Sequence, residues 1–282
     1  MKSLLAAKVL AAVIILVSAA TSHATTIAIA SVGDRVAMAE HVVVGKVTKI
    51  EDKAVLAPRF PGTKDEYPFQ IGIVEVKESL VGAKGLTHVR VGFQVPPAVP
   101  ANPNVPVVAT VAPPQLKVGQ EGIFFLRQHG KENFFTHWYG DFIGPTETPH
   151  FAATVVTIKK LGKLLENPQA GLKAKSADDR FLTAALLLAR YTTPPVTKER
   201  KDWKQIPIPA EESRLILNAL YEADWNRKTD VDGLTPVAAF FKLNLTPNDG
   251  FQRPRDYRQV PAAAKKWLKK NMATYRIQRY VK

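Results

Sequence analysis

An α+β fold in two domains is predicted for this chain, a small β-barrel or sandwich followed by an all-α helical bundle. Three observations predict it. Residues 25–150 carry short β-branched or alternating segments, and residues 151–282 carry apolar positions at helical spacing. Charge also divides near that boundary, with 12 Lys+Arg against 12 Asp+Glu from Thr25 to Thr154 and 25 against 13 from Val155 to Lys282. An apolar fraction of 46% with 9% aromatics excludes a disordered or collagen-like chain and suffices for one or two cores. The absence of Cys excludes a disulfide scaffold, a thiolate zinc site, an iron–sulfur cluster and a Cys nucleophile.

Residues 1–24 read as a signal peptide. Lys2 and Lys8 supply the positive start, Val9 to Val17 the apolar run and Ser22-His23-Ala24 a small-x-small cleavage site, so cleavage is expected after Ala24, with Ala20 the rival position. The apolar stretch Leu4–Ala20 contains Lys8 and falls short of the ~20 residues that span a bilayer. No later segment approaches that length, so no transmembrane segment is expected after signal cleavage. A secreted or periplasmic protein follows, and the lack of Cys suits a bacterial envelope better than a small animal extracellular domain.

After a short helix over about Val32–Ala39, five strands are expected: His41–Ile50, Gln70–Lys77, Thr87–Phe93, Gly122–Leu126 and Asn133–Tyr139. Closure into a barrel or sandwich would protect their edges. The Pro-rich stretch 96–114 reads as a long loop, because Pro lacks the ladder donor.

The second half reads as helices. Ala152–Glu166 places Val155, Ile158, Leu161 and Leu165 on one face and stops at Asn167-Pro168. Ser176 caps a helix reaching Tyr191, with Asp178 and Asp179 in its first turn. Further helices are expected over about Ala210–Trp225, from Thr235-Pro236 to Leu243, and over about Pro261–Ala273. Short connections suit a bundle or a HEAT-like stack, and no regular repeat period is visible.

Three segments of the β half resemble the OB-fold barrel of netrin-like and TIMP-like domains: Ala39–Val47 its opening strand, Val74–Gly82 a later strand ending, and Leu116–Leu126 the approach to another. The resemblance covers roughly Thr26–Phe142 and implies an OB-like barrel. Protease inhibition is not implied, since TIMP-like inhibitors chelate zinc through an N-terminal Cys that is missing here. The β half followed by the segment Ser176–Ala185 also resembles uncharacterised exported proteins of planctomycete-type bacteria, which bring no function to transfer.

His129, His137, Asp141 and His150 are the candidate metal ligands. On one extended strand His137 and Asp141 would share a face, and three imidazoles with a carboxylate suit zinc, although the spacing matches no signature. The run Asp224–Gly233 resembles a calcium loop only superficially. Aligning Gly233 with the loop glycine puts Lys228 at the first ligand position and Ala239 at the last, so a polar turn is expected. Nucleophile-elbow, Ser-x-x-Lys, His-Glu-x-x-His, Walker and dinucleotide motifs are all missing. No catalytic residue and no cofactor are predicted.

The basic C-terminus is the strongest signal. No acid follows Asp256, whereas Arg258, Lys265, Lys266, Lys269, Lys270, Arg276, Arg279 and Lys282 do. Lys265, Lys266, Lys269 and Lys270 span an arc of about 140° on a helix, opposite Ala264, Trp267, Leu268 and Asn271. Nucleic acid is the usual partner of such a patch, with Trp267, Tyr275 and Tyr280 available for stacking. Export and a neutral β half count against it. The expected function is therefore an exported, non-enzymatic binding or scaffold protein of the envelope, its helical domain meeting an anionic lipid or polymer, or an envelope protein. The alternative is a metal-dependent envelope hydrolase built on the His129, His137, Asp141 and His150 set.

Overall fold

The computed structural model describes residues 30–60, 63–95, 114–129, 132–138, 140–194 and 203–281. The segment read as a signal peptide, with its expected cleavage site, and the Pro-rich stretch up to residue 113 lie outside the described residues. The protein is mixed α+β, with a seven-stranded sheet and seven α-helices among the described residues. None of these helices is long and apolar enough to cross a membrane.

Ser31 caps helix α1 (Val32–Met38) by accepting from the Asp34 amide at 3.1 Å. Strand β1 (His41–Ile50) follows and is paired on both sides, with β3 (Glu66–Val81) and with β5 (Glu121–Gln128), antiparallel in each case. Strand β2 (Val55–Pro58) pairs only with the start of β3. β4 (His88–Gln94) runs antiparallel to β3 and parallel to β6 (Phe135–Thr136), and β6 pairs in turn with β5. The ladder therefore returns to its origin through β1, β3, β4, β6 and β5, with β7 (Phe142–Ile143) appended to β5.

β1 shows why its sequence starts as a continuous apolar run and not in alternation. Val43 and Val47 enter one core with Val74, Val89, Val91, Phe124 and Leu126. Val42 enters a second core, shared with Leu80, Ile123, Phe125 and the helices. Both faces are covered, so both need apolar side chains. Register shifts against β3 bend the strand, and at Gly45 a Cβ would lie 2.7 Å from the Glu75 carbonyl oxygen.

Helix α1 and the helix that follows the sheet join it to the remaining helices. α2 (Phe151–Glu166) lies over β3, where Lys159 pairs with Glu78 at 2.5 Å. A Cβ at Gly162 would come within 2.8 Å of the Val81 side chain and 3.2 Å of the Leu80 carbonyl. Gly162→Leu is thus expected to lift α2 off the sheet and cost about 1–3 kcal/mol of stability, read from the urea midpoint; an unchanged midpoint would show that the helix is not seated there.

Asn167 caps the short helix α3 (Pro168–Leu172) with Pro168 at its first position, so the expected stop restarts the chain at once. α4 (Ala177–Thr192) is capped by Ser176 and has every residue from Phe181 to Ala189 buried, as befits the central helix of a bundle. α5 (Ala210–Glu222) and α6 (Pro236–Phe241) pack on it, and α7 (Val260–Asn271) packs on α5 and α6. α5 stops at Glu222, three residues before the expected end, and Trp225 folds back to donate to the Leu220 carbonyl at 3.0 Å. A ribbon of β8 (Gln205–Pro207) and β9 (Gln278–Tyr280) completes the described chain.

One expected strand is broken. Of the expected strand Asn133–Tyr139, the described residues 133–138 keep strand form only at Phe135–Thr136. A turn follows, with the Asp141 amide donating to the Trp138 carbonyl at 3.0 Å and Gly140 at φ 78°, before β7 resumes on the same strand, β5.

Candidate functional site

α7 owes its two sides to its sequence period. Val260, Ala264, Trp267 and Leu268 are buried, and Lys265, Lys266, Lys269 and Lys270 are all exposed. Trp267 anchors the inner side: its Nε1 donates to the Asp249 carbonyl at 2.7 Å, and its ring meets Phe240 and Tyr275 edge-on at 5.8 and 5.1 Å. With 5% of its surface exposed it is not free to stack on a base. Among the described residues none of the four lysines lies within 4.0 Å of a carboxylate. Lys269 and Lys270 sit in the last helical turn, where a positive charge is favoured by the helix dipole.

The other predicted cations are placed differently. Arg258 forks onto Asp256 at 3.0–3.2 Å, and this hydrogen bond holds the Asp256 carboxyl below its usual range. Arg276 turns back to the Ala273, Thr274 and Tyr275 carbonyls at 3.1–3.4 Å, closing the chain after α7. Arg279 is exposed on β9. Arg253, upstream, lies 4.5 Å over the Phe241 ring. Four free ammonium groups on one helix face are therefore what the fold collects, with Arg258 and Arg276 partly committed elsewhere.

The histidine set is not gathered. His129 is 1% exposed, its Nε2 lies 2.8 Å from the Pro58 carbonyl, and Phe134 and Phe69 flank its ring at 4.8 and 5.1 Å. Asp141 is buried against Arg127 at 3.1 Å and accepts from the Trp138 amide at 3.0 Å. Burial raises its pKa, and Arg127 opposes the rise. The turn at 138–141 removes the common strand face on which His137 and Asp141 were expected to meet. His150 stands exposed at the start of α2. Among the described residues no three His, Asp or Glu are placed to hold a metal ion.

His137 has a different consequence. Burial pushes its pKa down to about 4, below the ~6.5 of a free imidazole. The unfolded chain therefore binds the proton first, so the stability that His137 contributes is complete above pH 6.5 and is lost as pH falls toward 4. A His137→Phe variant is expected to flatten the stability profile across that window by an amount on the order of 3 kcal/mol. Parallel profiles for both proteins in acid unfolding would reject this.

The calcium-like run is held by an ion pair. Arg227 grips Asp232 at 2.6 and 3.1 Å and donates to the Leu234 carbonyl, while the Leu234 amide donates to Asp232 at 2.7 Å. This is the expected polar turn, with an arginine where a cation would sit.

Sequence reasoning passed over Arg35, a single arginine in a seven-residue helix with no motif around it. Its guanidinium donates to the Gly140 carbonyl at 2.6 Å and lies 4.7 Å over the Phe125 ring. Desolvation lowers its pKa, although Asp141 and Glu147 are close enough to oppose this.

No family model, curated protein or solved structure matches this chain.

Proposed function

We propose that this is an exported, non-enzymatic binding protein of the cell envelope that associates with anionic lipid or polymer through the outer face of α7. The observation that carries the reading is the set of four exposed lysines, unpaired among the described residues, on a helix whose inner side is fixed in the core. A rigid helix presents these charges together, and each lysine near an anionic surface contributes on the order of 1 kcal/mol. Trp267, the aromatic on the lysine-bearing helix, is 5% exposed and fixed in the core, so it is not available for stacking on a base.

The β half supplies the second, still unassigned recognition surface. Its strand circuit through β1, β3, β4, β6 and β5 supports reading it as an OB-like barrel, a closed Greek-key arrangement of five strands. Residues 1–24 are read as the export signal on their sequence alone.

The test is sedimentation of the protein with vesicles of phosphatidylcholine alone or mixed with phosphatidylglycerol, and with an immobilised teichoic-acid-type polyphosphate, over a salt series. Retention on the anionic vesicles or polymer, with release by salt, is the expected result. Equal retention on neutral vesicles, or none on either anionic probe at low salt, would reject the reading.

A further inference from the structure

A cleft of about 310 Å³ opens between α1, β7 and the start of α2, at the small end of ligand-sized cavities of roughly 300–1,000 Å³. Val32, Phe142, Ile143 and Val231 give it apolar walls, and Arg35 and Glu147 bring one charge of each sign. Neither residue belongs to the basic face of α7.

Neither charge has an ion-pair partner within 4.0 Å among the described residues. Arg35 stacks on Phe125 and donates one hydrogen bond, to Gly140; its Nε is buried and has no acceptor among the described residues. A guanidinium presents its N–H groups in a planar fork that matches a carboxylate. Glu147 lies within electrostatic range of Arg35, yet no ion pair within 4.0 Å joins it to any cation among the described residues. The nearby Asp141 is already matched by Arg127 at 3.1 Å. The cleft thus contains one cation and one anion that feel each other without meeting.

Ligand chemistry follows from that balance. A simple anion would match Arg35 and leave Glu147 facing added negative charge. A purely apolar molecule would strand both groups at a drier surface, which is costly for charges. A molecule bearing a carboxylate and an ammonium close together satisfies both at once.

We propose that the cleft binds a free α-amino acid with an apolar side chain, its carboxylate on Arg35, its ammonium on Glu147 and its side chain against Val32, Phe142 and Val231. L-Leucine, 4-methylpentanoate (no ammonium) and leucinamide (no carboxylate) are the probes, titrated calorimetrically into the full chain. L-Leucine is expected to bind, and each analogue to bind at least about tenfold more weakly, since each leaves one charge unmatched. Arg35→Gln is expected to abolish binding of both leucine and 4-methylpentanoate.

Glu147 is exposed, so Glu147→Gln tests the site without disturbing the core. It is expected to weaken leucine about tenfold while strengthening 4-methylpentanoate, whose carboxylate no longer faces a like charge. Three results would each overturn the proposal: no leucine binding up to about 10 mM, a concentration already permissive for weak ligands; 4-methylpentanoate binding as tightly as leucine; or a Glu147→Gln protein that holds leucine as tightly as the parent.

Discussion

Reversing Lys265, Lys266, Lys269 and Lys270 together to Glu is expected to abolish capture by phosphatidylglycerol vesicles while leaving the fold intact. At on the order of 1 kcal/mol per lysine, neutralising four removes about 4 kcal/mol, or roughly a thousandfold in partition. Reversal adds repulsion on top. All four side chains are exposed, and the inner residues Val260, Ala264, Trp267 and Leu268 are untouched, so the unfolding midpoint should move little. The same choice explains why deletion is the wrong tool. A chain ending at Asp256 would lose Val260, Ala264, Trp267, Leu268 and Ile277 from the main core and would fail for reasons unrelated to charge. If the reversed protein sediments with anionic vesicles as the parent does, the lysines form an ordinary solvated face.

Asp232→Ala is expected to be among the most damaging single changes to stability, at about 3–5 kcal/mol, because it leaves Arg227 half-buried without its main partner. Asp232 is 4% exposed, and Arg227 reaches it through two hydrogen bonds as well as touching Asp178 at 3.3 Å. The pair also fixes a junction: the Asp232 carbonyl accepts from the Gly33 amide at 2.8 Å, and Arg227 lies 5.5 Å over the Phe181 ring of α4. Replacing both members, Arg227→Met with Asp232→Leu, is expected to recover part of the loss, since no charge is then left unpaired. Urea unfolding of the three proteins measures this, and a loss below about 1 kcal/mol for Asp232→Ala would show the turn to be held by its backbone.

Much of the layout was readable because the deciding interactions are local. Ser176 and Thr235 cap helices through side chains three residues away, and the lysine arc with its Trp267 and Leu268 underside is a matter of helical period, whereas Asn167-Pro168 was legible as a stop and not as the cap of α3. The four longer strands, β1, β3, β4 and β5, were also visible. The unread parts depend on residues distant in sequence. β6 closes the strand circuit with two residues, too few to show a period, and the turn after it is held by Arg127 reaching Asp141. β2, β7, β8 and β9 are two to four residues long and exist through their partners. His137 and Asp141 were separated by that same turn, which no alternation pattern could reveal. The Arg35 cleft draws on residues 32, 142, 147 and 231, and nothing in any one segment announces it.

The position of α1 sets a timetable for synthesis. It is made before the sheet, yet its apolar residues Val36 and Ala37 belong to the core built by the helices. Its carbonyl at Ala37 accepts from Arg190, 153 residues later, and Asp34 pairs with Lys242, 208 residues later. At about 5–20 residues per second, the ribosome needs roughly ten to forty seconds to deliver those partners after α1 has emerged. During that interval the first helix can meet β5 and the turn at Gly140 through Arg35 but not its later partners, and a protein captured by a holdase at this stage would be held by its beginning, waiting for its end.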